Sequence, residues 1–294
     1  MNERLELLRE SLPYIQKFKG KTFVIKFSGK VTENKDNLAS LAEEVALMHQ
    51  VGIRICIVHG GGKQLSELAE KLGVVQTVVE GRRVTDDHTL ELAKMVFAGK
   101  INTEILAAFR RRGIHSVGLS GIDGNIINAR KRPPKEFLDR VTGSLQTVDF
   151  GNVGDILEVN TELLKLLLDA QYLPVVSSLG ADSDGEIFNI NADTIAAEIA
   201  IRLDAEKLIL LSDVDGIFAD PNDVSTMFSR LSSKDAGELI ESGKVTGGMV
   251  AKIQSLSAIA ERGVGSVHLI NGGVRNTLLA EVFTDEGTGT MLTA

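Results

Sequence analysis

Three glycine-rich stretches stand where an apolar run gives way to a helical pattern. They are Lys26-Phe27-Ser28-Gly29, His59-Gly60-Gly61-Gly62 and Gly247-Gly248-Met249. Glycines between a strand and a helix let backbone N–H groups converge and let an anion come close. The helix N-terminus adds a favourable dipole. Lys26 interrupts an otherwise apolar strand, and Lys252 follows Gly248 by about one helical turn. An unpaired ammonium in such a strand is costly, so Lys26 either snorkels to the surface or meets a partner. These residue types fit a phosphate or carboxylate site, although a triple glycine is equally a plain tight turn. Two common nucleotide motifs are missing. Ile15 stands where a Walker A motif ending in Gly20-Lys21-Thr22 needs glycine, and Lys63-Gln64-Leu65 after Gly62 excludes G-x-G-x-x-G.

Other polar clusters have both a local and a chemical reading. In Asn189-Ile190-Asn191-Ala192-Asp193, Asn191 fits a helix cap and Asp193 complements the helix dipole. In Gly81-Arg82-Arg83-Val84-Thr85-Asp86, Asp86 fits an N-cap, and one arginine is suited to clamp a carboxylate with two parallel hydrogen bonds. Leu208-Ile209-Leu210-Leu211-Ser212-Asp213-Val214-Asp215-Gly216 reads as a buried strand ending in acidic and turn residues, as a nucleotide or metal site needs and as many strand ends have. The five histidines show no metal-ligand spacing, and no Ser/His/Asp arrangement is defensible.

The elements that must position these residues alternate along the chain. Strands are predicted over 22–27, 53–58, 115–119, 173–177, 207–212 and 266–270. Helices are predicted over 36–50, 63–72, 87–112, 160–170, 192–203, 234–242 and 248–262. Strand–helix alternation with nearly continuous apolar strands implies an α/β fold with a mainly parallel sheet covered on both faces. Residues 122–158, with Pro133-Pro134, read as hairpins inserted at a sheet edge. Gly180 to Gly185 reads as a boundary between two parts. Leu5, Leu8, Leu12 and Ile15 form a narrow stripe on a charged N-terminal helix, expected to break near Pro13. That stripe packs on its own domain or on another subunit.

With 294 residues the chain can bury a sizeable core. Its formal charge of −8 argues against a nucleic-acid or membrane-surface partner. The single Cys56 lies in an apolar run and reads as a buried thiol. No apolar stretch approaches the ~20 residues of a membrane span, and the N-terminus lacks a secretion signal. Cytoplasm is the expected compartment.

Taken in order, these motifs resemble the amino acid kinase family, and within it the N-acetyl-L-glutamate kinases. The resemblance runs from about residue 8 to 292. It rests on Lys26-x-x-Gly29, Val58-His59-Gly60-Gly61-Gly62, Gly81-x-Arg83-Val84-Thr85-Asp86, Gly118-Leu119-Ser120-Gly121-x-Asp123-Gly124, Gly154-Asp155, Asn189 to Asp193, Leu211-Ser212-Asp213-Val214-x-Gly216, Gly247-Gly248-Met249-x-x-Lys252 and Gly287-x-Gly289-Thr290. It implies a three-layer αβα sandwich forming a single amino acid kinase domain. Its parts would be an N-terminal helical arm (1–18), an acceptor-binding lobe (19–180) and an ATP-binding lobe (181–294).

The resemblance also implies a reaction. ATP gives its γ-phosphoryl to the side-chain carboxylate of N-acetyl-L-glutamate, a step of arginine biosynthesis. Lys26 and Lys252 would neutralise the moving phosphoryl, and Asp193 would hold both. Gly29, Gly61, Gly62, Arg83 and Asn189 would bind the acceptor side. Ser212, Asp213, Gly216 and Gly248 would bind ATP. Mg²⁺ would arrive with the nucleotide, with no protein metal site.

A second resemblance is to the arginine-inhibited branch, through Pro13-Tyr14-Ile15 and Glu281 to Gly287. It implies homohexamers joined by N-terminal helices, and an allosteric arginine site at Tyr14, Lys207, His268, Glu281 and Gly287. Ser28, Lys30, Ile122, Asn271 and Gly273 depart from the family pattern. Two rivals follow. One is another acceptor: aspartate, glutamate, carbamate, uridylate or carrier-bound aminoadipate. The other is the non-catalytic arginine-sensing domain of some acetylglutamate synthases. Such domains tend to lose the lysines and to precede an acetyltransferase, whereas this sequence keeps both lysines and ends at Ala294. The kinase is therefore expected.

Overall fold

Alternation along Thr22–Phe27 decides the layering. In a strand, successive side chains point to opposite faces. Phe23, Ile25 and Phe27 therefore join one apolar cluster and Val24 the other. Lys26 shares the side of Val24. In the computed structural model, which describes residues 2–79, 82–138, 144–220, 223–243, 245 and 248–294, both sides of this strand are covered by helices.

In chain order the elements are α1 (Asn2–Phe18), β1 (Thr22–Phe27), α2 (Gly29–Glu33), α3 (Lys35–Gln50), β2 (Arg54–His59), α4 (Gly62–Lys71) and the short pair β3 (Val78–Val79) and β4 (Arg82–Arg83). Next come α5 (Asp87–Lys94), a π-helical segment (Met95–Ile101), α6 (Asn102–Arg111), β5 (Ser116–Ser120), β6 (Ile127–Lys131), β7 (Lys135–Leu138), β8 (Leu145–Val148), β9 (Gly154–Val159) and α7 (Glu162–Asp169). The remainder is β10 (Leu173–Ser177), β11 (Leu179–Ala181), β12 (Ile187–Asn189), α8 (Ala192–Arg202), β13 (Lys207–Ser212), β14 (Arg230–Ser232), α9 (Ser233–Glu241), α10 (Gly248–Glu261), β15 (Val267–Asn271), α11 (Thr277–Phe283) and β16 (Thr290–Thr293).

An eight-stranded sheet in the order β14-β16-β15-β13-β1-β2-β10-β5 forms the middle layer. Its pairings are parallel except β15 with β16. Apolar faces of α3, α4, α6 and α11 cover one side, and those of α7, α8 and α10 the other. The fold is thus α/β, with a mainly parallel central sheet between helical layers. β1 lies between β13 and β2 with all three parallel, so their C-terminal ends open together beside it. Open α/β sheets place ligands at such a point.

Three expectations change. Residues 87–112 do not form one α-helix, because a seven-residue π turn divides them. The helix of residues 2–18 does not break at Pro13. The ring removes one N–H, and the i−4 residue, Arg9, is exposed, so water can satisfy its carbonyl. The hairpins of 122–158 do not extend the main sheet. β7 and β8 pair with each other, while β6 and β9 join β11 and β12 in a separate four-stranded sheet. At the exit from β5, a Cβ on Gly121 would lie 2.1 Å from the Leu179 carbonyl oxygen, so only glycine lets the chain turn away there. Of the Gly180–Gly185 segment, Gly180 and Ala181 belong to β11 and pair with Phe188 and Ile187 of β12, and Asp182 to Gly185 lie in the hairpin turn between them. Among the described residues, no helix is long and apolar enough to cross a membrane.

Candidate active site

Lys26 meets its partner. Its position on β1 aims it at the first turn of α8, where Nζ lies 2.7 Å from Asp193 Oδ1. Asn191 caps that helix, its side chain accepting from the N–H groups of Asp193 (2.7 Å) and Thr194 (3.3 Å). The cap fixes the turn that carries Asp193, so the local and the chemical readings of this motif are compatible. Lys252, on α10, lies in the same electrostatic field. Burial lowers its pKa, Asp193 and Asp213 oppose that shift, and Lys26 adds to it. Two lysines and an aspartate thus gather at the C-terminal end of β1.

Beside them is a cleft of about 420 Å³ lined by Lys26, Gly29, Gly60, Gly61, Gly62, Arg83, Asn189 and Asp193. The glycines are needed for close approach. A Cβ on Gly61 would lie 2.2 Å from Ile101 Cδ1 and 2.8 Å from Phe97 Cδ1, and one on Gly29 would lie 2.8 Å from Gln64 Oε1. The π segment supplies both Phe97 and Ile101, consistent with the frequent placement of such insertions at functional sites. Arg83 Nη2 donates to Gly62 O (2.8 Å) and Ser66 Oγ (2.7 Å), and burial lowers its pKa. Asn189 Nδ2 donates to Thr85 Oγ1 at 3.2 Å. Asp86 caps α5 through Thr89 N–H, as its spacing implies.

His59 sits under the glycine turn, fully buried, with Nδ1 3.1 Å from Gly60 O and Nε2 3.1 Å from Asn102 Nδ2. The neutral tautomer protonated at Nδ1 satisfies both contacts. Burial pushes its pKa down to about 4. An unfolded histidine binds its proton near pH 6.5, so the unfolded state gains a proton first as pH falls. Stability held above pH 6.5 is lost as pH drops toward 4. Between pH 7.5 and 4.5 this one group should remove roughly 2–3 kcal/mol. Urea unfolding of wild type and His59→Gln at both pH values checks it: the variant should show a pH-dependent loss smaller by that amount.

Sequence reading missed several supports. Gln64 Nε2 donates to Gly29 O at 2.7 Å and tethers the first glycine turn to α4. Asn102 buttresses His59. Arg132 enters the cleft, with its guanidinium 2.8 Å from Asp155. Only an asparagine inside an apolar helical stretch hinted at Asn102; Gln64 and Arg132 left no local sign.

Ser212 ends β13 and Asp213 directly follows it, paired with Lys30. A Cβ on Gly216 would lie 2.7 Å from Thr290 Oγ1. Gly248 opens α10, while Gly247 and Gly81 lie outside the described residues. Of the departing residues, Asn271 Nδ2 donates to Asp215 (2.7 Å) and Asn271 Oδ1 accepts from Gly273 N–H (2.8 Å). Ile122 packs against the core.

A second polar cluster lies elsewhere. Lys207 Nζ is 2.9 Å from His268 Nε2, and His268 Nδ1 is 2.5 Å from Glu281 Oε1. Glu281 Oε2 also accepts from Thr288 N–H at 2.6 Å, and a Cβ on Gly287 would lie 2.9 Å from that oxygen. Burial brings Lys207 down to about 8 despite Glu281 nearby. Burial would raise Glu281, but His268, Thr288 N–H and Lys207 hold it below the usual carboxylate range. Lys207 also lies over the ring of Phe18, at the end of α1. Tyr14 of α1 donates to Asp285. The structure therefore joins Lys207, His268, Glu281 and Gly287 directly and sets Tyr14 on the neighbouring helix.

Residues 21–271 match the model of the amino acid kinase family. Over its whole length the chain is 46% identical to acetylglutamate kinase of Methanocaldococcus jannaschii, covering 97% of that protein. It is 43% identical to the enzyme of the same name from Carboxydothermus hydrogenoformans over 99% of this chain and 98% of that one. Among solved structures it resembles N-acetylglutamate synthase from Neisseria gonorrhoeae complexed with coenzyme A and N-acetyl-glutamate (TM-score 0.83, 31% identity, 99% of this chain). The chain spans 63% of the length of that synthase. With this sheet order, a lysine–aspartate pair at its central strand end and likeness along the full length, the chain belongs to the amino acid kinase family.

Proposed function

We propose that this protein is an acetylglutamate kinase. It transfers the γ-phosphoryl of ATP to the side-chain carboxylate of N-acetyl-L-glutamate, in arginine biosynthesis. The observation that carries this reading is whole-length likeness to acetylglutamate kinases in a chain that keeps Lys26 paired with Asp193 beside an arginine-lined cleft. A carboxylate oxygen attacks the γ-phosphorus, the bond to the bridging β,γ-oxygen breaks, and ADP leaves with that electron pair. The acceptor is already ionised at neutral pH, so no general base is required. The barrier is charge, and positioning with electrostatic stabilisation is what protein groups supply.

In this reading Lys26 and Lys252 neutralise the phosphoryl oxygens and Asp193 orients both ammonium groups. Backbone N–H groups of Gly29 and Gly61 bind those oxygens. Gly62, Asn189 and Arg83 hold the acceptor. The Arg83 Nε is buried with no hydrogen-bond partner, a donor that an anionic ligand would satisfy. Ser212, Asp213, Gly216 and Gly248 receive the nucleotide, which arrives as its magnesium complex. Residues 19–180 then form the acceptor lobe and 181–294 the nucleotide lobe of a cytoplasmic enzyme. With ATP, a panel of N-acetylglutamate, glutamate, aspartate and carbamate should give turnover only with the first; equal turnover with another acceptor would overturn the assignment.

Arg83→Lys keeps the charge and loses the planar fork. It should raise the KM for N-acetylglutamate roughly tenfold, the loss of one charged hydrogen bond, and leave that for ATP unchanged. Steady-state kinetics with each substrate varied checks the split; a selective loss of ATP affinity would reverse the role of Arg83.

The cluster around Glu281 supports a second element, arginine inhibition of a hexamer. The Neisseria gonorrhoeae synthase, 30% identical, has been solved complexed with coenzyme A and L-arginine. Here Tyr14, Lys207, His268, Glu281 and Gly287 would form the inhibitor site, with the Glu281 carboxylate facing a guanidinium. Leu12 on α1 is 44% exposed, as an arm that meets another subunit requires; the side chains of Leu5 and Leu8 lie outside the described residues. Deleting residues 1–18 should split the hexamer and blunt inhibition while most activity remains, because an inhibitor acts through unequal affinity for two states. Glu281→Ala should weaken arginine without splitting the hexamer. Light scattering with arginine titration checks both. The likeness to the synthase also favours a regulatory module, which would bind arginine but turn over no ATP.

A further inference from the structure

The first turn of α2 carries a lysine that the proposed reaction does not use. Lys30 directly follows Gly29, on the turn by which the chain leaves β1 next to Lys26. Its ammonium pairs with Asp213, just past the end of the adjacent parallel strand β13. The pair therefore spans two neighbouring strand ends, across the opening where β1 and β13 present their C-termini. Lys30 also holds the Asp213 carboxyl below its usual range, and Asp213 is close enough to act on Lys252. Lys26, Lys30 and Lys252 thus form one charge cluster with Asp193 and Asp213.

The charges of this cluster suggest what Lys30 does. Without it, the two lysines and two aspartates of this cluster cancel, and the cluster itself offers a polyphosphate no net charge. With it, the cluster carries one net positive charge. The side chains of Lys30 and Asp213 are 62% and 51% exposed. Ion pairs in such surroundings are weak, and a ligand bearing several negative charges competes well with one carboxylate. Lys30 is also long and flexible enough to change partners without moving the backbone.

We propose that Lys30 is a third polyphosphate-binding lysine, held by Asp213 in the ligand-free protein and passed to the β- and γ-phosphates of the nucleotide when it binds. This rests on the reading of the β1–β13 opening as the ATP site. Lys30 then serves nucleotide selection: it favours nucleoside di- and triphosphates over monophosphates and leaves the acceptor untouched.

Calorimetric titration of the full protein with ATP, ADP and AMP tests this, using wild type, Lys30→Met and Lys30→Arg. Lys30→Met keeps the stem and removes the charge. It should weaken ATP and ADP roughly tenfold, as loss of a charged hydrogen bond does, while AMP affinity and the KM for N-acetylglutamate stay at wild-type values. Lys30→Arg should restore most of the ATP affinity. Unchanged ATP binding in Lys30→Met, or equal losses for ATP and AMP, would overturn the role. Failure of the wild-type protein to bind ATP would overturn both this role and the site reading beneath it.

Discussion

Lys26→Ala and Lys252→Ala are each expected to cut turnover by roughly 10²–10³, about 3–4 kcal/mol of transition-state stabilisation, with far smaller changes in either KM. The two lysines come from opposite ends of the sequence, β1 and α10, and share the field of Asp193. Charge on the transferring phosphoryl is where they would act, so kcat is where their loss should show. Removal of either also leaves Asp193 facing the phosphates with one counter-charge fewer. The double variant should therefore lose less than the product of the single losses, because the three groups act as a unit. Initial-rate kinetics with both substrates saturating decide this. If both single variants kept more than about a tenth of wild-type turnover, the catalytic assignment would fail.

Gly61→Ala is expected to be the most damaging single-methyl change in the cleft. The added Cβ would fall 2.2 Å from Ile101 Cδ1, in a wall made by the π segment. Gly60→Ala, one residue away, meets only Ala192 Cβ at 3.3 Å. The φ of Gly61, −179°, lies outside the left-handed region, and the cost expected here is that of overlap. Overpacking typically costs ~1–3 kcal/mol of stability, and displacing the turn by about 1 Å should lower activity roughly 10²-fold. Gly60→Ala should retain most activity. Thermal unfolding and kcat/KM for the pair check the contrast; equal effects would remove the special role of Gly61.

The strands that build the site were legible because most are short apolar runs ending at a glycine or acidic turn, as β1 does at Ser28-Gly29, β2 at Gly60 and β13 at Asp213. β1, β10 and β13 match the predicted spans, and β2, β5 and β15 are displaced by one residue. Lys26 was legible for the same reason, as a charge in an apolar strand, and Asn191 and Asp86 were legible as caps. α11 was not. Its N-cap residue, Asn276, is left-handed and gives no side-chain cap. The buried carboxylate of Glu44, on α3, instead accepts from Asn276 N–H (3.0 Å) and Leu278 N–H (2.9 Å). A cap supplied from more than two hundred residues away leaves no local pattern. The π segment was hidden similarly: the approach of its Phe97 and Ile101 to Gly61 is a tertiary contact that helical spacing does not show. Lys30 was visible as an unexpected charge, but its bond to Asp213 was not, because only the parallel pairing of β1 with β13 brings the two together.

The central chemical claim is a new bond between the ATP γ-phosphorus and the side-chain carboxylate of N-acetylglutamate. Hydroxylamine captures an acyl phosphate as a stable hydroxamate. The most direct measurement incubates the protein with ATP, magnesium, N-acetylglutamate and hydroxylamine, and quantifies ADP and hydroxamate together by mass spectrometry. The expected result is N-acetylglutamyl hydroxamate at the side-chain carboxyl, formed in equal amount to ADP and absent in the Lys26→Ala/Lys252→Ala double variant. ADP without hydroxamate, or hydroxamate formed equally well by that double variant, would contradict it.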